Sequence, residues 1–241
     1  MEINKYLTQT NYDISKNRKI KWLVIHYTAN TKDTAWGNCN YFHKTYRGAS
    51  AHYFVDENEV WQCVDDNNIA WHCGAKITYN ECRNVNSIGI ELCSMNTKED
   101  KTGKFYFKDG TVSNAIQLVK MLMKKYDIDI NHVCMHYDVT RKKCPAPFVD
   151  NDTLWQDFKN KLQKSEGDIM LDKLIGKYGA DSVEKALVRL IETVNDDGKE
   201  AEWATEEYDE AKELGITDGS NPEMYATRQE VAIMIKRAVS K

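Results

Sequence analysis

No apolar run in this 241-residue chain reaches the roughly 20 residues that carry a helix across a bilayer, which excludes a helical membrane span. Basic residues form no stripe with interleaved aromatics, so nucleic acid is not an expected partner. The opening MEINKYLTQT lacks the basic-then-apolar order of a secretory leader. Cys-x-x-Cys and His-Glu-x-x-His, two common zinc signatures, are both missing. Neither histidine nor cysteine occurs beyond residue 144, so metal chemistry has no donors of these types in the last part of the chain. The cysteines number seven, and an odd count excludes complete internal pairing; the expectation is a reducing compartment with thiols free or metal-bound. Prolines number only three, yet two of them, Pro145 and Pro147, stand directly behind Cys144.

What is present divides the chain. Residues 1–167 carry 23 bases against 20 acids, a formal +3, and residues 168–241 carry 10 against 17, a formal −7. The first part can sit on an anionic polymer; the second cannot do so by charge alone. KWLVIHYT (21–28) and SIGIELC (87–93) are compact β-prone runs that predict buried strands. AHYFVDENEVWQCV (51–64) predicts a hairpin around the polar turn DENE. TAWGNCNYFHKTY (34–46) and SNAIQLVKMLMKKY (113–126) predict helices, and HVCMHYDV (132–139) a strand running into a loop. DTLWQDFKNKLQK (152–164) predicts a helix with Leu154, Phe158 and Leu162 on one face. Mixed strands and helices over 20–164 predict an α/β domain with a mixed central sheet flanked by helices. The pattern breaks at KSEGDIM, giving a domain at 1–164, a linker at 165–170 and a small all-helical domain at 171–241.

Chemistry-bearing residues gather at strand ends. His26 closes WLVIH, His136 closes VCMH, and Cys144 follows in a proline-stiffened loop. Two imidazoles and a thiolate make a three-donor zinc set with a fourth position for water. Spacing leaves a plainer reading open, in which these are structural histidines and a buried thiol. Glu91 lies in an otherwise apolar strand, where an unpartnered carboxylate is costly. The remaining cysteines, Cys39, Cys63, Cys73, Cys82, Cys93 and Cys134, read as small buried hydrophobes.

The runs WLVIHYT, SAHYFVDENEVWQCV, AWHCG, NSIGIELC and MHYDVTRKKCPAP, in this order, resemble the zinc N-acetylmuramoyl-L-alanine amidases, a family shared by phage lysis enzymes and animal peptidoglycan recognition proteins. The resemblance covers roughly residues 20–163 and implies the peptidoglycan-recognition fold. It implies Zn²⁺ on His26, His136 and Cys144, with Glu91 as proton carrier and Lys142 facing the oxyanion. It also implies cleavage of the bond between N-acetylmuramic acid and L-alanine in peptidoglycan. His52 and His72 are expected to line the substrate cleft. Many relatives have a tyrosine just before the hairpin histidine, where this chain has Ala51; Tyr27 and Tyr53 are the nearby alternatives.

The segment EWATEEYDEAKELGITDGSNPEMYATRQEVAIMIKRA resembles a surface-layer-homology repeat, which implies binding to a secondary cell-wall polymer. A helical self-association unit, and so a homo-oligomer, is the alternative. The codons of Glu166-Gly167-Asp168 can encode a purine-rich ribosome-binding sequence, so a second start at Met170 would yield a free C-terminal fragment able to assemble with the full chain. The expected activity is that of a phage endolysin, made in the host cytoplasm and acting on the wall once the membrane is permeabilised. The rivals are a non-catalytic peptidoglycan-recognition protein, which typically lacks a zinc ligand, and a zinc amidase of muropeptide recycling, which has no use for a wall-targeting tail.

Overall fold

The computed structural model describes residues 2–164, 174–183 and 185–186. Contacts divide the chain into two units, Met1–Gln163 and Lys164–Lys241.

The first unit is built on a six-stranded mixed sheet. Its order is β1 (Asn4–Lys5), β5 (Val60–Gln62), β4 (Tyr53–Val55), β7 (Ser87–Leu92), β3 (Trp22–Tyr27) and β10 (Val133–Met135). The hairpin β4–β5 is antiparallel, while β4–β7, β7–β3, β3–β10 and β1–β5 are parallel. Two small antiparallel pairs lie outside it: β2 (Tyr12–Asp13) with β6 (Ile69–Ala70), and β8 (Met95–Asn96) with β9 (Phe105–Tyr106). The β-branched runs WLVIHY and SIGIEL fill two adjacent interior positions, as strands covered on both faces should.

Side chains alternate across a strand. Leu23 and Ile25 of β3, and Ile88, Ile90 and Leu92 of β7, point to one face. There they pack against α2 (Asp109–Tyr126), through Ala115, Leu118, Val119 and Leu122, and against α5 (Asp152–Gln163), through Trp155, Phe158 and Leu162. Each such large side chain contributes about 1.5–3 kcal/mol by leaving water. On the opposite face α1 (Ala35–His43) covers Phe54 with Ala35 and Cys39, and a third cluster joins Val24, Cys73, Cys82, Cys134 and Val139. All seven cysteines are buried and unpaired by disulfides, which for Cys39, Cys63, Cys73, Cys82, Cys93 and Cys134 agrees with the expected role of small apolar groups. Period-two alternation therefore sends His26 and Glu91 to the face opposite the α2–α5 core, as neighbours in register.

Helix ends follow local chemistry. Thr34 caps α1 by accepting the Gly37 N–H at 3.0 Å, and the buried Asp56 carboxylate accepts the Ala35 N–H at 2.8 Å. Helix α2 starts four residues before the expected 113, with Asp109 in its first turn, and stops at Asp127, whose φ of 52° is left-handed. The predicted loop after β10 is instead a helical turn, α3 (His136–Thr140), where Asp138 accepts the Met135 N–H at 2.8 Å. A second short helix, α4 (Ala146–Val149), follows Pro145. On α5 the buried stripe is Trp155, Phe158 and Leu162; Leu154 is exposed, because Trp155 lies nearer the centre of that stripe at 100° per residue.

In the second unit, residues 174–178 and 180–183 are helical around Gly179, whose φ is 82°, and Leu174, Val183 and Ala186 are buried. The expected linker at 165–170, Met170 and the GITDG segment lie outside the described residues.

Candidate active site

Strands β3, β7 and β10 are mutually parallel, so their carboxyl ends open onto one edge of the sheet. His26 lies near the end of β3, and its Cα partner across the ladder is Glu91 of β7. His136 follows β10 directly and starts α3. Cys144 is drawn back to them by its own backbone: its carbonyl accepts the Tyr137 N–H at 2.8 Å, and its N–H donates to the Lys142 carbonyl at 2.7 Å.

The nitrogen and sulfur donors of His26, His136 and Cys144 all lie within 4.8 Å of one another, and all three residues are buried. The Cys144 sulfur is 3.7 Å from His26 Nδ1, and a Glu91 carboxylate oxygen is 4.0 Å from the same nitrogen. The two imidazoles tilt together with ring centroids 4.6 Å apart. Among the described residues His136 Nδ1 and Glu91 Oε2 are buried with no hydrogen-bond partner, an expensive condition that a cation or water in the same space would relieve.

Burial dominates the electrostatics. It holds His26 well below the usual imidazole range, with His72, His136 and Lys142 acting the same way. Burial and then Lys142 bring His136 down to about 4. Both rings are therefore neutral near pH 7, the form that offers a lone pair to a metal. Burial pushes Glu91 up to about 8, against the pull of Lys142. Cys144 is pushed up to about 12 by burial and by Glu91, opposed by the Tyr27 N–H and Lys142.

Residues 16–147 match the family model described as N-acetylmuramoyl-L-alanine amidase. The chain belongs to that family. Among curated members it is 34% identical over 167 residues to the N-acetylmuramoyl-L-alanine amidase CwlL of Bacillus licheniformis, covering 64% of this chain and 44% of that protein. It is 32% identical over 178 residues to BlyA of Bacillus subtilis (strain 168), covering 66% of this chain and 46% of that one. The chain thus spans less than half the length of these relatives. Among solved structures, PlyL superposes with a TM-score of 0.57 at 28% identity, over 68% of this chain and 98% of that one. The catalytic domain of XlyA superposes with a TM-score of 0.55 at 27% identity, over 67% of this chain and 99% of that one. The sheet and helices expected from the sequence are those of the amidase fold.

Other residues of this amidase-family chain sort by depth. In the run Arg141-Lys142-Lys143, Arg141 lies over the Tyr79 and Tyr137 rings and Lys143 pairs with Asp150 at 2.7 Å. The Lys142 charge instead acts on His26, His136, Glu91 and Cys144 together. His72 enters the site: its Nδ1 is 3.0 Å from His26 Nε2. His52 does not line a cleft. It has zero exposure, accepts the Gly89 N–H on Nδ1 at 3.0 Å and places Nε2 3.2 Å from the Asn68 carbonyl, because the hairpin turns its side chain into the protein. Tyr53 is also spent elsewhere, donating to Asp66 at 2.7 Å, while Tyr27 lies within electrostatic reach of Cys144 and Glu91. Sequence reasoning missed Ser87, Gly89 and Arg18. The first two stand in the quoted NSIGIE run, whereas nothing in KNRKI marks Arg18, which bonds the Asn68 and Ser87 carbonyls.

Proposed function

We propose that this chain is a zinc-dependent amidase that hydrolyses the bond between N-acetylmuramic acid and L-alanine in peptidoglycan. The observation that carries the reading is the convergence of His26, His136 and Cys144 beside a half-buried carboxylate, one oxygen of which is buried with no partner among the described residues. Family membership and the names of the relatives support the bond and the substrate.

The donor set fits zinc: two neutral imidazoles and a sulfur suit a tetrahedral ion, and the orphaned His136 Nδ1 is a ligand atom in search of a partner. Held by these residues, zinc would supply a Lewis acid that polarises a carbonyl and makes water acidic near neutral pH. A cation on these donors would favour the ionised form of the neighbouring Glu91, whose Oε2, with no donor among the described residues to occupy it, then accepts the proton of the attacking water and returns it to the departing L-alanine nitrogen. Lys142 faces the negative charge that grows on the lactyl oxygen. Water adds across the C–N bond, leaving a carboxylate on the lactyl group and a free amine on the peptide.

Retention of all three donors, with Glu91 and Lys142, favours catalysis over recognition without cleavage. Wall targeting through residues 171–241, a phage origin and action on the wall after membrane permeabilisation are further parts of the proposal, supported by sequence resemblance alone; self-association is the alternative use of residues 171–241, and assembly with a fragment begun at Met170 is supported only by the codons that Glu166-Gly167-Asp168 permit. Mass spectrometry of purified walls digested with and without chelator tests the core. The expected products are stem peptides with free L-alanine amines, abolished by chelator and restored by zinc. Products cut at any other bond would sink the reading.

A further inference from the structure

We infer that His72 is a positioning residue: with Ser87 it holds His26 in the tautomer whose Nδ1 lone pair faces Cys144 and Glu91. The inference rests on the proposed role of His26 as a metal ligand and goes one shell outward from it.

The hydrogens can be placed by elimination. The Ser87 hydroxyl donates to the Arg83 carbonyl at 2.7 Å, and a carbonyl can only accept. The Ser87 oxygen, 3.1 Å from His72 Nε2, is then free to accept, so Nε2 carries the His72 proton. With its proton on Nε2, the His72 imidazole offers Nδ1 as its acceptor. That acceptor lies 3.0 Å from His26 Nε2, which must therefore carry the His26 proton. A neutral His26 protonated on Nε2 presents a lone pair on Nδ1, the nitrogen 3.7 Å from the Cys144 sulfur and 4.0 Å from Glu91. Each donor in the run Ser87, His72, His26 meets one acceptor, and the reversed run, with Ser87 donating to His72 Nε2, would give up the shorter 2.7 Å bond to the Arg83 carbonyl.

Backbone geometry shows that this ring has been given a seat. Gly89 stands in β7 between Ser87 and Glu91, and a Cβ built there would lie 2.5 Å from His72 Cγ and 2.7 Å from Nδ1. No side chain fits without expelling the imidazole. Behind it, His52 accepts the Gly89 N–H and packs edge-on to His72 with ring centroids 5.8 Å apart. His52, His72, His26 and His136 thus form a row of rings, with successive centroid separations of 5.8, 5.1 and 4.6 Å. A plain packing role for His72 explains the filled space but not the matched donors and acceptors.

Partners behind metal-binding histidines typically change metal affinity by roughly 10–100-fold. Three variants of the full chain test the inference: His72→Leu, His72→Gln and Ser87→Ala. Zinc affinity is read by competition with a chromogenic chelator, and folding by thermal melts. His72→Leu is expected to weaken zinc by about 10–100-fold. His72→Gln, whose amide oxygen can accept from His26 and whose NH₂ can donate to Ser87, is expected to stay near the parent. Long-range ¹H–¹⁵N spectra of the metal-free protein should show His26 protonated on Nε2, and a mixture of tautomers in His72→Leu. If His72→Leu does not fold, Ser87→Ala, which removes a single oxygen, decides: His26 tautomers should mix there too. A His26 protonated on Nδ1 in the parent, or leucine and glutamine variants with equal zinc affinity, overturns the inference. A parent that binds no zinc at these donors sinks the proposed function instead, and the tautomer spectrum still decides the hydrogen-bond chain.

Discussion

Replacing Glu91 by glutamine should make the protein more stable and less active at once. The carboxylate sits in β7 with Oε2 unpartnered, and burial raises it from an ordinary 4.5 to about 8. A folded-state pKa above the unfolded one means that the native protein holds a proton the unfolded chain has released. Stability from this group is fully present below pH 4.5 and is lost as pH rises through 8. At about 1.4 kcal/mol per pKa unit, the loss is at most about 5 kcal/mol across that window, and about 2 kcal/mol by pH 6. Glutamine does not titrate, so E91Q should escape it. Urea unfolding of both proteins in chelator, from pH 5 to 8.5, should show E91Q gaining on the parent as pH rises. Taking the difference between the two cancels all other titrations. With zinc restored, loss of the proton carrier should lower the amide-cleavage rate by about 10²–10⁴. A stability gap that does not change with pH, or an E91Q protein that still cleaves walls at the parental rate, would refute the reasoning.

Two further outcomes follow from burial. Phe158→Ala should destabilise the first unit by about 3–5 kcal/mol, since Phe158 is enclosed by Phe148, Trp155 and the sheet core; a change in melting temperature too small for 1 kcal/mol would show the site collapses without cost. His52 titrates in the opposite sense to Glu91. Burial lowers it from 6.5 to about 3, so the unfolded chain binds the proton first and stability falls as pH drops below 6.5. Acid unfolding between pH 6.5 and 5 should include about 2 kcal/mol from this ring, a slope that His52→Gln removes.

The central sheet was legible because β3 and β7 are long, apolar and β-branched, and burial on both faces demands that composition. The donors were legible because polar groups ending such strands need a reason to be there. Other features left little trace. HYDVT is too short for helical periodicity, so the turn α3 depends on the Asp138 cap and on Cys144 returning to Tyr137. The two-residue strand β1 exists only because the edge of β5 is available to pair with it. His52 and His72 look alike in the sequence. Depth separates them, and depth is set by the hairpin packing onto Gly89 rather than by either residue's neighbours. Arg18 lies in a polar run, where nothing distinguishes an interior guanidinium from a solvated one.

His26 and Cys144 are 118 positions apart in the chain and meet because β10, which leads into His136 and the loop to Cys144, pairs with β3. A ligand that requires His26, His136 and Cys144 together therefore binds no partly opened form in which β10 has separated from β3. Its binding energy goes to the pairing of β3 with β10 rather than to a local loop. Saturating the site should slow amide exchange at Val24 and at its β10 partner Cys134 as much as at the donors themselves, so that occupancy can be read from buried hydrogens of the sheet.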